Sequence, residues 1–285
     1  MDEKDWLILQ TIYKERNITK AAEQLYISQP SLTYRIQQLE EQLGVKILSR
    51  RKRGVDFTIE GEYLVQYATS MLYQMNEMKD HLANLHGKIK GTLRLGVSQT
   101  FARYKLPAIL AEFIKQYPEV DINLKSGFSY EVIQMINKEE ANIGIVRDVY
   151  DWKGSKILLG EEKIYLVSKS KIDIDQLPYM TRINYNTDLS LKNVIDGWWK
   201  ESFDHPPRIT MEVDLIDTCR EMVLNGLGYA FLPEICLNGY DSLHTYELSL
   251  NEETLIRNTW LIFNERSMDL SVVRAFKEYM EKGNA

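Results

Sequence analysis

The sequence is poor in the residues that mark several functional classes. Only two cysteines, Cys219 and Cys236, occur in 285 residues, and no CxxC spacing is present. Two such thiols read as buried core residues in a reducing compartment; the alternative is a redox pair. The four histidines, His81, His86, His205 and His244, are scattered, and none forms an HxxxH metal-ligand pair. GxSxG, GxGxxG and the phosphate-binding P-loop are all missing. Acidic residues are plentiful, but nothing arranges them as a catalytic pair, so an enzyme is not expected. No apolar run approaches the roughly 20 residues that span a bilayer. The start, "MDEKDWLILQ", lacks a basic segment followed by an apolar one, so no signal peptide is read and a cytoplasmic protein without membrane attachment is expected.

What is present is an ordinary globular composition, 44% hydrophobic and 27% charged, in a chain long enough for two or three compact units. The net charge of −6 hides an asymmetry. Residues 1–58 hold ten Lys/Arg against eight Asp/Glu, a net of +2, which leaves −8 for the rest. "RRKR", Arg50 to Arg53, places four positive charges in succession. Alone, such a run is a solvated loop.

Periodicity gives that loop a context. Trp6, Leu9, Ile12 and Tyr13 predict a helix over Asp5 to Lys14. A second short helix starts near Thr19, with Ala21, Ala22 and Leu25 inward. Ser28 suits an N-cap and Pro30 a first turn. Leu32, Ile36, Leu39 and Leu43 then form one stripe, and Gly44 is a natural stop. The opposite face carries Gln29, Thr33, Tyr34 and Gln37, flanked by Ser31 and Arg35, and no acid appears from Ser28 to Leu39. Two helices and a short turn, the second with a polar face, predict a helix-turn-helix whose face suits the major groove. Thr19 and Ser28 stand at the two helix starts and count with the DNA-contacting residues. Strands at Ile47–Ser49 and Val55–Thr58 around Arg50, Arg51, Lys52 and Arg53 predict a wing along the phosphate backbone.

From Ile59 to about His86 runs one helical pattern. Leu64, Ala68, Met71, Met75, Met78, Leu82 and Leu85 alternate at spacings of four and three, the seam of a dimerisation helix; the alternative is a helix packed against its own domain. "HGKIKG", His86 to Gly91, reads as a hinge. Beyond it, strands and helices alternate: "TLRLGVS", one helix across "FARYKLPAILAEFIKQYP", "VDINLKSG", "SYEVIQMINKEE", "ANIGIVRD", and a further unit from Glu162 to the terminal helix. The pattern predicts an α/β domain with largely parallel sheets. Its cleft should lie at strand C-termini facing helix N-termini, which favour a carboxylate or phosphate ligand. Three junctions qualify: Ser98–Gln99–Thr100, Ser126–Gly127–Phe128–Ser129, and Asp214 to Thr218, with Asp217 and Thr218 the candidates. Arg147, at the end of an apolar strand, and Arg257 add bidentate carboxylate binders. The competing readings are an ion pair of Arg147 with Asp148 or Asp151, and a surface ion pair for Arg257.

The stretch "TKAAEQLYISQPSLTYRIQQLEEQLGVKILSRRKRGVDFTIEG" resembles the signature of LysR-type transcriptional regulators, with Ser49 where many members have an aromatic residue. "GTLRLGV" and "EMVLNGLGYAFLPE" are similar to parts of that family's effector domain. The resemblance implies a winged helix-turn-helix over 1–58, a linker helix and hinge over 59–89, and a periplasmic-binding-protein-like effector domain over 90–285. Subdomain I would comprise 90–162 and 266–285, and subdomain II 163–265. It further implies an inverted-repeat operator in double-stranded DNA, a dimer through 64–85, a tetramer through effector domains, and contact with RNA polymerase. No cofactor is implied beyond a small anionic effector. Within the family, "IVRDVYDWKG", "VDLIDTCREMVLNGLGYAFLPE", "GWWKESF" and "LIRNTWL" resemble the citrate-responsive catabolite control proteins C and E of low-GC Gram-positive bacteria. That likeness implies a citrate-like carboxylate as effector and control of citric-acid-cycle genes. "VSQTFARYKLP" departs from the subgroup, being more polar and aromatic, which leaves another small acid as the alternative effector. A solute-binding component would share the C-terminal fold but not the N-terminal segment.

Overall fold

Three short helices and a hairpin build the first of two units, Met1–Lys88 and Ile89–Ala285. The computed structural model describes residues 1–50, 54–84, 89–148, 152–237, 239 and 242–283. α1 (Glu3–Glu15) is opened by Asp2, whose carboxylate accepts the Asp5 N–H while Asp5 accepts the Asp2 N–H. α2 (Ile18–Gln24) is capped by Asn17, and its Ala21 and Ala22 are buried against the neighbouring helices. α3 (Gln29–Leu43) follows the expected signals: Ser28 is the N-cap, Pro30 lies in the first turn, and Gly44, at φ +69°, ends it. Leu32, Ile36 and Leu39 join Trp6, Leu9 and Ile12 in the core. Leu43, expected on the same stripe, is 38% exposed, because the last turn runs past that core.

Two buried carboxylates organise this unit. Asp5 is fully buried and accepts bonds from Arg35 Nε and Nη2 at 2.6 and 2.8 Å, tying α1 to α3. Glu40 turns inward at the other end of α3. It accepts the Ile47 and Leu48 N–H groups and pairs with Lys46, so it sets the start of the hairpin β1 (Leu48–Arg50) and β2 (Val55–Phe57). Arg51, Lys52 and Arg53 lie outside the described residues. α4 (Ile59–Asn84) starts pressed on β1: a Cβ at Gly61 would sit 2.2 Å from the Ile47 carbonyl oxygen.

The heptad seam of α4 is not a single free surface. Ala68 is buried, and Leu64, Met71 and Met75 pack on the unit's own core with Val65 and Leu72. Met78 and Leu82 are exposed. Leu85, and residues 86–88 of the expected hinge, lie outside the described residues. The first part of the seam is therefore used within the chain. A separate stripe, Ile59, Tyr63 and Tyr67, faces solvent. No helix among the described residues is long and apolar enough to cross a membrane.

The second unit begins with β3 (Gly91–Ser98). The single helix expected next is two, α5 (Gln99–Tyr104) and α6 (Leu106–Gln116), broken at Lys105 where Pro107 enters the first turn of α6. There follow β4 (Val120–Gly127), α7 (Ser129–Asn137), β5 (Ile143–Arg147) and the long β6 (Ser155–Ser168). Then come β7 (Thr181–Tyr185), α8 (Leu189–Ser202), β8 (Arg208–Val213), α9 (Ile216–Leu224), β9 (Tyr229–Pro233) and β10 (His244–Glu247). The short hairpin β11 (Ser249–Leu250) and β12 (Glu253–Thr254), then β13 (Ile256–Phe263) and α10 (Ser271–Glu281), complete the chain.

The strand order is β4-β3-β5-β13-β6-β9-β7-β8, with β10 also on β6. β4-β3-β5 and β9-β7-β8 are parallel, as the strand–helix alternation requires, but β13, β6, β9 and β10 join them by antiparallel pairing. Each half has its own core. Leu95, Val97, Phe113, Ile145 and Leu261 pack with Phe276 of α10 in the first, and Leu166, Trp198, Trp199, Tyr229 and Phe231 pack in the second.

Two strands link the halves. β6 runs unbroken through position 162, pairing with β13 over 155–163 and with β9 over 164–168. β13 pairs with β5 from Thr259 onward, and its Leu261 and Phe263 lie in the first core. β6 and β13 therefore both run between the two halves.

The Asp5–Arg35 pair gives a direct test. Removing Arg35 strands a buried carboxylate, so Arg35→Met should cost about 3 kcal/mol in a denaturant titration. Burial alone would raise the Asp5 pKa, but the Arg35 and backbone bonds outweigh it and hold the carboxyl below its usual range. Its contribution should therefore be present above the ordinary Asp pKa and vanish as pH falls through the lowered one. A midpoint unchanged by Arg35→Met would refute this role.

Candidate functional site

The outward face of α3 is open. Ser28, Gln29, Pro30, Ser31, Tyr34 and Gln37 are exposed, as is Thr19 on α2, while Thr33 is half-buried and accepts a bond from Gln29 Nε2 at 3.1 Å. Tyr34 is 62% exposed, and Tyr26, in the turn before α3, projects almost completely. Arg35 sits apart, committed to Asp5. Arg50 falls in β1 by its backbone. The outward face carries no acid from Ser28 to Leu39; Glu40 is directed inward, and the exposed Glu41 follows in the last turn.

In the second unit, Ser129, Arg147 and Arg257 come together, and acids of the chain's own accompany them. Arg147 ends β5 fully buried, and its guanidinium pairs with Glu162 of β6. Burial, then the nearby positive charge of Arg257, pull its pKa down to about 9. Asp148 is not its ion-pair partner, and Asp151 lies outside the described residues. Asp148 serves Arg257 instead, accepting from Arg257 Nε at 2.8 Å and from the Asn258 N–H at 2.9 Å. Arg257 is 2% exposed, so it is a buried ion pair rather than a surface one. Its Nη2 lies 3.4 Å from both Asp188 Oδ2 and Ser190 Oγ. Ser129 Oγ accepts the Arg147 N–H at 3.0 Å, and the Ser129 N–H donates to Asp188 Oδ1 at 2.9 Å. Three carboxyl groups thus face two guanidinium groups.

The third junction belongs to a different cluster. Asp217, in the first turn of α9, accepts from the Tyr104 hydroxyl at 2.7 Å and pairs with Arg103 at 2.6 Å and Arg220 at 2.9 Å. Arg220 also donates to Tyr104 Oη and to the Cys236 carbonyl. α5 and α9, from opposite halves, are joined there. Ser98 is buried at the end of β3. Gly127 packs against the Glu131 side chain, Phe128 is half-buried, and Gln99, Ser126 and Thr218 are exposed with Thr100 partly so. A cavity of about 300 Å³ opens beside Glu162, lined also by Phe101, Lys105, Glu161 and Glu234 and by none of the candidate residues.

Sequence reasoning missed Glu162, Asp188, Ser190, Tyr104 and Arg220. Asp188 had a local signal, an aspartate immediately before a helix, but that pattern points to capping of its own helix. Cys219 and Cys236 are buried, and burial pushes both thiols up to about 12. No group of His, Cys, Asp and Glu suited to a metal ion occurs among the described residues.

Comparison with known proteins adds the family. Residues 86–285 match the model described as "LysR substrate binding domain", and residues 4–62 match "Bacterial regulatory helix-turn-helix protein, lysR family". A Bacillus subtilis (strain 168) protein, "Uncharacterized HTH-type transcriptional regulator YraN", is 43% identical over 282 residues, covering 99% of this chain and 98% of that one. The same organism's "Uncharacterized HTH-type transcriptional regulator YkuM" is 32% identical, covering 96% and 94%. Among solved structures, a full-length OxyR variant from Pseudomonas aeruginosa has a TM-score of 0.67 at 18% identity, covering 100% of this chain and 98% of its own. Full-length CbnR complexed with its target DNA has a TM-score of 0.67 at 17% identity, covering 99% and 100%. Those two likenesses concern the fold. The relatives are regulators rather than enzymes, and the chain belongs to the LysR family: it is a DNA-binding transcriptional regulator that joins a helix-turn-helix domain to an effector-binding domain.

Proposed function

We propose that this regulator reads an inverted-repeat operator as a homodimer, with α3 in the major groove and the basic turn of the wing along the phosphates, and that a small organic acid in the effector domain modulates the binding. The observation that supports the DNA reading is the exposed polar face of α3, which carries no acid from Ser28 to Leu39. Gln29 and Gln37 have the amide groups that pair with base edges, and Tyr34 and Ser31 can reach phosphates or thymine methyls. Contact between copies is assigned to the exposed parts of α4, the Ile59–Tyr63–Tyr67 stripe and Met78–Leu82, with a tetramer formed through effector domains. RNA polymerase is the partner of an activating complex, and the cytoplasm is the compartment.

The effector reading rests on Arg147, Arg257 and Ser129 meeting at the strand ends. Citrate remains the first acid to try, on the strength of the subgroup resemblance. The three carboxyl groups already paired there favour an effector that brings fewer negative charges than citrate does. The redox alternative draws less support, because buried thiols with raised pKa values are poor nucleophiles.

Two measurements test these readings. Selection of random-sequence duplexes by the full-length protein should recover an inverted repeat. Gln29→Ala or Tyr34→Ala should weaken binding to it by about tenfold or more, while leaving the melting temperature unchanged. Recovery of no common sequence, or variants that bind as wild type does, would sink the assignment. In the native protein, Cys219 and Cys236 should resist a thiol reagent at pH 8 and remain titratable after peroxide and unfolding. Disappearance of both thiols after peroxide would restore the redox reading.

A further inference from the structure

Asp188 stands immediately before α8, where an aspartate ordinarily accepts N–H bonds from its own helix. It makes no such bond. Its carboxylate is directed to α7, in the other half of the unit. The Ser129 N–H donates to Oδ1 at 2.9 Å, while Ser129 Oγ and Arg257 Nη2 each lie 3.4 Å from Oδ2. The receiving helix has need of an acceptor, because the residue ahead of it is Phe128, whose side chain has none. A first-turn amide, a serine hydroxyl and a guanidinium that is 2% exposed therefore converge on a carboxylate supplied by a different helix. These are the groups with which a protein holds a free organic acid.

We propose that Asp188 is a built-in ligand. Its carboxylate fills the anion seat of Ser129 and Arg257, and an effector carboxylate acts by displacing it. The proposal deepens the reading of this cleft as the effector site and rests on it. Asp188 heads α8 and Ser129 heads α7, so the bond between them ties the two halves together. A free anion that replaces Asp188 satisfies the same donors without that tie, which releases one half from the other and gives the effector a differential affinity for the released arrangement. A tethered carboxylate also competes at high effective concentration, so it sets the effector level at which release occurs.

The test uses the full-length protein and acetate or formate as probes. Asp188→Ser keeps a residue able to cap α8 but empties the seat. Its melting temperature should fall below wild type. Acetate or formate should raise it again by several degrees, saturably, while chloride at equal ionic strength does not. Wild type should not respond. Asp188→Asn, which fills the seat without a charge, should not respond either. A Ser variant that folds only with acetate in the refolding buffer supports the proposal equally. Failure to fold in either buffer, or equal shifts in wild type and variant, overturns it. The readout needs no DNA, so failure of operator selection leaves it standing, and failure of the rescue leaves operator binding standing.

Discussion

A charged group taken out of water costs several kcal/mol unless an opposite charge and hydrogen bonds accompany it. That requirement sets the polar framework of both units. In the first, Asp5 is wholly enclosed and is matched by Arg35, while Glu40 is matched by Lys46 and two backbone N–H groups. These pairs fix the angle of α3 against α1 and the register at which the wing leaves α3. In the second unit, Arg147 and Arg257 are enclosed at strand ends, and Glu162, Asp148 and Asp188 accompany them. Apart from the local Glu40 contacts, these pairs join different elements, so they form only when the surrounding cores have packed.

The proposed effector cleft is already supplied with counter-charges. Asp188 ties α8 to α7, and Asp217 ties α9 to α5 through Tyr104 and Arg103. Both ties link halves that otherwise connect through β6 and β13. A ligand can shift such a system only by offering better partners to one arrangement than to the other. Exchange of one carboxylate for another is the least costly way to do so, because no guanidinium is left without a counter-charge. The same logic disfavours a ligand that brings several negative charges into a site where three acids already face two arginines.

Much of the architecture was legible along the chain because its signals are local. Ser28, Pro30 and Gly44 bound α3 through backbone chemistry that depends on adjacent residues alone. The stripe Leu32–Ile36–Leu39 specifies its buried face. Apolar strands at "TLRLGVS" and "NIGIV" specify β3 and β5. Where local signals conflicted, the reading slipped: the break at Lys105 lay inside an otherwise continuous apolar pattern, and the α4 heptad was read as one surface. Ala68 and its neighbours satisfy a heptad, but the same spacing serves packing on the unit's own core.

Caps, turns and hydrophobic period are properties of neighbouring residues. They were enough to specify the helix-turn-helix with its hairpin, the strand–helix alternation of the second unit and the polar outward face of α3. The partner of each charge was left to the packed chain. Arg35 bonds to Asp5, Arg147 meets Glu162, and Asp188 abandons its own helix for α7. Asp5 and Arg35 are 30 positions apart, and Ser129 and Asp188 are 59 apart. Spacing along the chain carries no information about which of these ends will meet. That is settled by which cores form and which charged groups they enclose together.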